Sequence, residues 1–156
     1  TKDIYGWDST GLGLLYAADG AGALIGVLVV AALVGLRRRG LLVIVFVTLF
    51  AVTQISFSLA PVLWIGMLLI FLLGLFSALY ATLADTLIQT IIEDEYRGRV
   101  MAVYSTFWGL TPIGYLEIGI IARYWGVQQA IFVNGVIVLL YTLFLIRWNP
   151  DVRKLD

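Results

Sequence analysis

From Gly11 to Leu36 the chain carries one acidic or basic residue, Asp19, in an otherwise apolar run. As a helix at about 1.5 Å per residue this run reaches about 39 Å, enough to cross a hydrocarbon core of roughly 30 Å with tilt or overhang. Comparable runs recur along the whole chain, and in water they would leave large apolar patches uncovered. The expected spans are 10–36, 41–59, 62–92, 98–124 and 127–148, five crossings within a single membrane domain covering 1–156. With 62% hydrophobic residues, 13% charged residues and a mean hydropathy of +1.00, the chain lies outside ordinary globular usage. The expected fold class is all-α, a polytopic transmembrane helical bundle, because a helix satisfies its own backbone polar groups in lipid.

The ends of these runs carry local signals. Asp8, Ser9 and Thr10 offer capping side chains before the first run; Arg37, Arg38 and Arg39 stop it, and Gly40 is expected to turn the chain. Pro61 suits a first helical turn, where its missing N–H is an orphan donor anyway. The third helix is long enough to project beyond the membrane and ends in a charged hinge, Glu93 to Arg99. In the fourth, Gly109, Pro112, Gly114 and Gly119 weaken the regular backbone, and a bend is expected at Pro112.

Alternating crossings sort the basic residues. One side collects Arg37, Arg38, Arg39, Arg97, Arg99, Arg147, Arg153 and Lys154; the other holds Lys2 and Arg123. The positive-inside rule makes the first side cytoplasmic and places the N-terminus outside and the C-terminus inside. Trp7, Trp64 and Trp125 then fall at the outer boundary and Trp148 at the inner one, where amphipathic rings prefer to sit, with Trp108 deeper.

Composition also removes whole classes of chemistry. The chain has no cysteine and no histidine, so disulfides, zinc sites, haem ligation and Cys or His nucleophiles are excluded within it, and neither a metal nor another cofactor is expected. The basic residues cluster at the ends of apolar runs rather than along one face, which argues against nucleic acid as a partner. The opening TKDIYGWDST has neither an initiator Met nor a signal-peptide pattern, and the chain reads as a piece of something longer.

The candidate site residues are the polar groups inside the spans. Ala18, Gly22 and Gly26 recur every four residues on helix 1 and form a strip for close helix contact, one expected to lack its proper neighbour in this chain. Asp19 shares that side and is expected to point into the bundle, either as a hydrogen-bonded structural acid or as a coupling or substrate residue. On helix 3, Ala78, Ala81, Thr82, Asp85 and Gln89 form a small and polar stripe, with Leu79, Leu83 and Leu87 elsewhere. Asp85 lies about 12 Å along the helix from Glu93, in reach of pairing with cytoplasmic arginines. Glu117 sits about 10 Å from the outer end of helix 4, deep enough to need a partner or a water-filled path. Gln54 and Asn134 are further candidates, although a single amide in a membrane helix more often bonds its neighbours than a substrate.

The run Asp94-Glu-Tyr-Arg-Gly-Arg-Val-Met-Ala-Val-Tyr-Ser, followed by Gly109 and Thr111-Pro-Ile-Gly, resembles the loop between the tenth and eleventh helices of major facilitator superfamily exporters. It is most like the branch containing enterobactin and macrolide exporters. GLGLLYAADGAGALIG and GLRRRG are similar to that family's eighth helix and the shortened basic loop after it, so the resemblance extends over essentially the whole chain. It implies helices eight to twelve of a partial C-terminal half, with Arg97, Gly98 and Arg99 in a conformational loop. Glu117 is singled out by its depth, not by the resemblance. Glu93, Asp94 and Glu95 surround the two arginines, which suits either switchable ion pairs or simple topological anchoring.

The expected function is secondary active transport at the cell (inner) membrane: proton-coupled export of a small amphipathic molecule, siderophore-like or drug-like. Its partners would be the substrate, protons, the lipid bilayer and the missing N-terminal half. A non-transporting scaffold or receptor-like subunit is the alternative, and a lipid-acting enzyme is disfavoured because only carboxylates and hydroxyls remain for catalysis.

Overall fold

The computed structural model describes residues 9–32, 38–149, 152 and 155. Among these the chain forms six helices and no strand: α1 (Ser9–Ala32), α2 (Arg39–Ser58), α3 (Leu63–Ile91), α4 (Asp94–Gly109), α5 (Thr111–Trp125) and α6 (Val127–Trp148). Four of them, α1, α2, α3 and α6, are long and apolar enough to cross a membrane. The all-α bundle expected from the periodic apolar runs is therefore the architecture observed. The capping Asp8 and residues 33–37 at the end of the first expected span lie outside the described residues.

The fourth crossing departs from expectation. In place of one helix over 98–124 with a bend at Pro112, there are two helices separated at Leu110. The first starts at Asp94, because Asp94 and Glu95 occupy its first turn, where carboxylates are favoured by the exposed N–H groups. The break falls ahead of the proline for a reason that lies in the missing N–H. An unbroken helix would have Pro112 donate to the Trp108 carbonyl, which it cannot do, and its ring would crowd that same oxygen. Thr111 Oγ1 donates to the Trp108 carbonyl instead, at 2.6 Å. Leu110, with ψ near zero, donates its N–H to the Thr106 and Phe107 carbonyls and closes α4.

Two other turns also differ. Gly40 does not turn the chain. Arg38 does so, in the left-handed region at φ 65°, and Gly40 sits inside α2. Its role is close approach: a Cβ there would overlap the Val152 carbonyl oxygen, and its N–H donates to the Leu155 carbonyl at 3.0 Å. Pro61 lies before the helix rather than in its first turn, since Val62 is the extended residue that opens α3. Between α5 and α6 a single residue, Gly126 at φ 94°, makes the reversal, a conformation that costs glycine little.

Packing runs in the spatial order α1, α3, α2, α6, α5. The small-residue strip of α1 meets α3 of the same chain, which corrects the expectation that its neighbour is absent. Gly22 and Gly26 are buried, and Ala18 is half-buried. A Cβ on Gly22 would overlap the Phe71 carbonyl oxygen, and one on Gly26 would come within 2.7 Å of the Leu75 oxygen. Gly74 answers from α3, where a Cβ would overlap the Asp19 carbonyl oxygen. Residues advance together along this seam, from Gly22 near Phe71 to Val30 beside Leu79, so α1 and α3 run in the same direction, and α2 returns on the other side of α3. Below the glycines, Val30, Leu79 and Leu83 form an apolar core covered by Leu42, Phe46 and Leu75, and Phe46 stacks on Phe76 at 6.5 Å.

The α2–α6 contact uses the same device. Ala51 and Ala130 are both 0% exposed, and Gly135 lies where a Cβ would be 3.3 Å from the Ala51 oxygen. By contrast α4 and α5 bury no residue among the described ones. Their apolar side chains, Phe107, Ile113, Leu116 and Ile120 among them, are exposed to whatever surrounds the bundle.

Candidate functional site

The glycine seam determines where Asp19 stands. Because Gly74 has no side chain, the Asp19 backbone rests directly on α3, and Asp19 Oδ1 lies 2.9 Å from the point a Gly74 Cβ would occupy. The rest of the carboxylate is open. Asp19 is exposed by area, but the space it faces is the wall of an apolar cavity shared by α1, α2, α3 and α6. Among the described residues it has neither an ion-pair nor a hydrogen-bond partner.

Asp85 is half-buried on α3 and accepts a hydrogen bond from the Tyr104 hydroxyl of α4. A tyrosine, and not one of the cytoplasmic arginines, is the partner found. Arg97 is committed elsewhere: its Nη2 pairs with Asp94 at 2.9 Å within α4 and donates to the Gln89 carbonyl of α3 at 3.4 Å. Such an exposed pair contributes at most about 1 kcal/mol. Gly98 faces open space and Arg99 is exposed. Of the polar stripe on α3, Ala78, Ala81, Thr82 and Asp85 are half-buried and Gln89 is exposed, while Leu79, Leu83 and Leu87 fill the core.

Tyr104 had not been singled out in the sequence, yet a signal was available. The chain reverses at Ile92 and Glu93. A partner for Asp85, seven residues before that reversal, has to come from about the same distance after it. In 100–104, reading VMAVY, only Tyr104 carries a side-chain donor. The bond ties α4, which buries nothing, to the core of the bundle. Tyr104→Phe should therefore raise backbone hydrogen exchange across 94–109 by about tenfold, the equivalent of one hydrogen bond, and leave α1 and α3 unchanged. Equal exchange in the two proteins would show that the bond does not hold α4.

Gln54 and Asn134 are brought together. Gln54 Nε2 donates to Asn134 Oδ1 at 2.9 Å, joining α2 to α6 beside the Ala51–Gly135 contact, so these amides bond each other. Gln54 Oε1 is buried without a partner among the described residues. The hydroxyls of Thr48 and Thr142 bond carbonyls of their own helices four residues back and make no cross-helix tie of their own. Glu117 stands apart, exposed on α5 with no partner among the described residues. The structure does not join it to Asp19. Pro112 lies in the first turn of α5, just beyond the break.

Long apolar helices that cross in alternate directions, tied by half-buried amides and small-residue seams, define a multi-pass α-helical membrane protein. The family model of the Major Facilitator Superfamily matches residues 1–155, and the chain belongs to that superfamily of membrane transporters. No curated protein and no solved structure compared with the chain gives a match.

Proposed function

We propose that the chain forms helices eight to twelve, a partial C-terminal half, of a secondary exporter in the cell (inner) membrane that moves a small amphipathic molecule outward against proton entry. The observation that carries this reading is Asp19: an ionisable group within a membrane span, without a partner among the described residues, set against Gly74 on the wall of an apolar cavity. A carboxyl group so deep in a span is costly unless it carries a proton, a cation or a water-filled path, and a transporter uses all three. Glu117 is the second proton-coupling candidate, on a segment divided at Leu110. Asp85, Gln54 and Asn134 act as ties between helices, whereas Arg97, Gly98 and Arg99, expected in a conformational loop, stand in the opening turns of α4, because the helix already starts at Asp94. The partners are the substrate, protons, the bilayer and the missing N-terminal half. In vesicles carrying the full-length parent, efflux of an amphipathic dye should follow an imposed proton gradient and stop when an uncoupler collapses it. Efflux indifferent to the gradient would rule out proton coupling.

The orientation is tested on single cysteines, which this cysteine-free chain makes simple. Leu59 and Gln128, both exposed, stand at the end proposed to be outside; Arg38 and Glu95, also exposed, stand at the cytoplasmic end. An impermeant thiol reagent applied to intact cells should label Leu59→Cys and Gln128→Cys but neither Arg38→Cys nor Glu95→Cys. The reverse pattern would invert the topology.

A further inference from the structure

The chain that follows α6 comes back onto the start of α2. Asn149 closes α6, the Val152 N–H donates to the Asn149 carbonyl at 3.3 Å, and the Leu155 N–H donates to the Val152 carbonyl at 3.4 Å. Bonds of this i to i+3 kind advance the chain by about 6 Å each. Val152 and Leu155, both half-buried, meet Gly40: the Val152 carbonyl oxygen occupies the place of a Gly40 Cβ, and the Leu155 carbonyl takes the Gly40 N–H at 3.0 Å. That N–H is one of the first-turn donors of α2 that no residue of its own helix can satisfy. The entry of α2 and the exit of α6 therefore lie within about 10 Å of one another.

This junction gathers positive charge. Arg38 and Arg39 stand at the entry of α2 and Arg147 in the last turn of α6. The first turn of α2 holds no acid, so the partial positive charge of its N–H groups adds to that of the arginines. Across 37–39 and 147–156 the sequence has six basic residues against two acids, Asp151 and Asp156. Arg147 has no hydrogen-bond or ion-pair partner among the described residues, and with Trp148 it lines a surface cavity of about 370 Å³. The exposed Trp148 ring packs on Phe144, with centroids 4.7 Å apart. A soluble anion would use the charge alone, whereas an aromatic shelf beside a guanidinium at the end of an apolar span matches a molecule with a charged head and a hydrocarbon body. We propose that this junction binds an anionic phospholipid of the surrounding bilayer, its phosphate at Arg147 within the positive potential of Arg38 and Arg39, and its glycerol and upper acyl chain against Trp148 and Phe144. Basic pockets at the ends of membrane helices recognise headgroups in this way. The site rests on the proposed orientation only for which leaflet supplies the lipid, and binding needs neither a gradient nor turnover.

Phosphatidylglycerol and phosphatidylcholine with the same acyl chains differ in net charge at the headgroup, which makes them a matched pair of probes. Their dissociation constants for the full-length parent are measured by native mass spectrometry in a nonionic detergent. Phosphatidylglycerol should bind more tightly by about tenfold or more. Arg147→Gln should lower that preference by about fivefold, the effect of one basic side chain near an anionic surface, and Arg147→Lys should keep most of it. Replacing Arg38, Arg39 and Arg147 together by Gln should remove it. Gly40→Val keeps every arginine but drives Val152 and Leu155 off α2, so as a monodisperse protein it should lose the preference too. Trp148→Ala should weaken both lipids alike, and Arg123→Gln, near the opposite end of α6, should change neither. Equal binding of the two lipids by the parent would overturn the site, as would a preference that survives the triple replacement or Gly40→Val. Displacement of phosphatidylglycerol by millimolar glycerol 3-phosphate would overturn it as well, in favour of a soluble anion. Inverted cysteine labelling with the preference intact would retain the site and remove the orientation. The expected labelling without a preference would do the opposite.

Discussion

Proton-driven efflux by the full-length parent should be abolished by Asp19→Asn, by Glu117→Gln, or by both. Each replacement keeps approximate size and hydrogen-bonding shape while removing the ability to titrate, so it separates charge chemistry from packing. The two acids stand in different settings. Asp19 is held by the α1–α3 seam with its carboxylate on an apolar cavity, whereas Glu117 projects from α5, a helix that buries no residue among the described ones. While shielded from water either group has to be neutral or paired, because an isolated carboxylate in a low-dielectric site is strongly disfavoured. A carrier that loads a proton on one side and releases it on the other needs such a group and a structural element that moves it between environments. The break at Leu110 divides the segment that carries Glu117, and the Tyr104–Asp85 bond ties its first part to α3. Substrate binding should survive Glu117→Gln, since Glu117 is not part of the cavity wall, and weaken in Asp19→Asn. The measurement is efflux rate against imposed pH difference, where a coupling residue gives a loss of at least about tenfold, equal to about 1.4 kcal/mol of barrier. Normal pH-dependent efflux in both variants would make these acids structural and move the proton path to Asp85 or to the missing half.

Gly22→Val and Gly74→Val should be the most destabilising single substitutions along the α1–α3 seam. At both positions the first carbon of any side chain would overlap a backbone carbonyl oxygen of the facing helix, that of Phe71 for Gly22 and that of Asp19 for Gly74. A backbone cannot rotate away as a side chain can, so α1 and α3 have to separate. Overpacking of this kind costs about 1–3 kcal/mol, at times more, and in a membrane it removes the close van der Waals contact that substitutes for a hydrophobic driving force. Gly114→Ala and Gly119→Ala serve as controls, because open space surrounds both and alanine favours a helix by up to about 1 kcal/mol. Unfolding in mixed micelles, followed by helical circular dichroism, should show an early loss for the seam variants and none for the controls. Seam variants as stable as the parent would mean that the helices do not meet at these glycines.

Membrane spans are legible in this sequence because hydrocarbon imposes one condition on every residue of a span, and the condition can be read residue by residue. The start of α6 at Val127 and the small-residue strip on α1 follow from the same kind of local reading. Polar partners do not. Asp85 looked suited to an arginine because charge complementarity is the obvious rule in a sequence, but the reversal at Ile92 and Glu93 brings Tyr104 opposite it and leaves Arg97 with Asp94 and the Gln89 carbonyl. Gln54 and Asn134 were each visible as amides within apolar spans, and only the approach of α2 to α6 through Ala51, Ala130 and Gly135 shows that they bond each other.

By itself the sequence determined the solvent, the helical class, the close-contact strip on α1 and the absence of cysteine and histidine chemistry, since each depends on residue type and spacing along one helix. Tertiary structure decided the rest: that α3 is the neighbour of the strip, that Arg38 and not Gly40 makes the first turn, that the fourth span breaks at Leu110, and that Asp19 faces a cavity shared by four helices. The physical reason is one of range. Hydrophobicity and helix propensity act within a few residues, whereas a glycine's close approach, a carbonyl freed by Pro112 or an unpartnered carboxylate acquires its meaning only from the atoms that a distant part of the chain places against it.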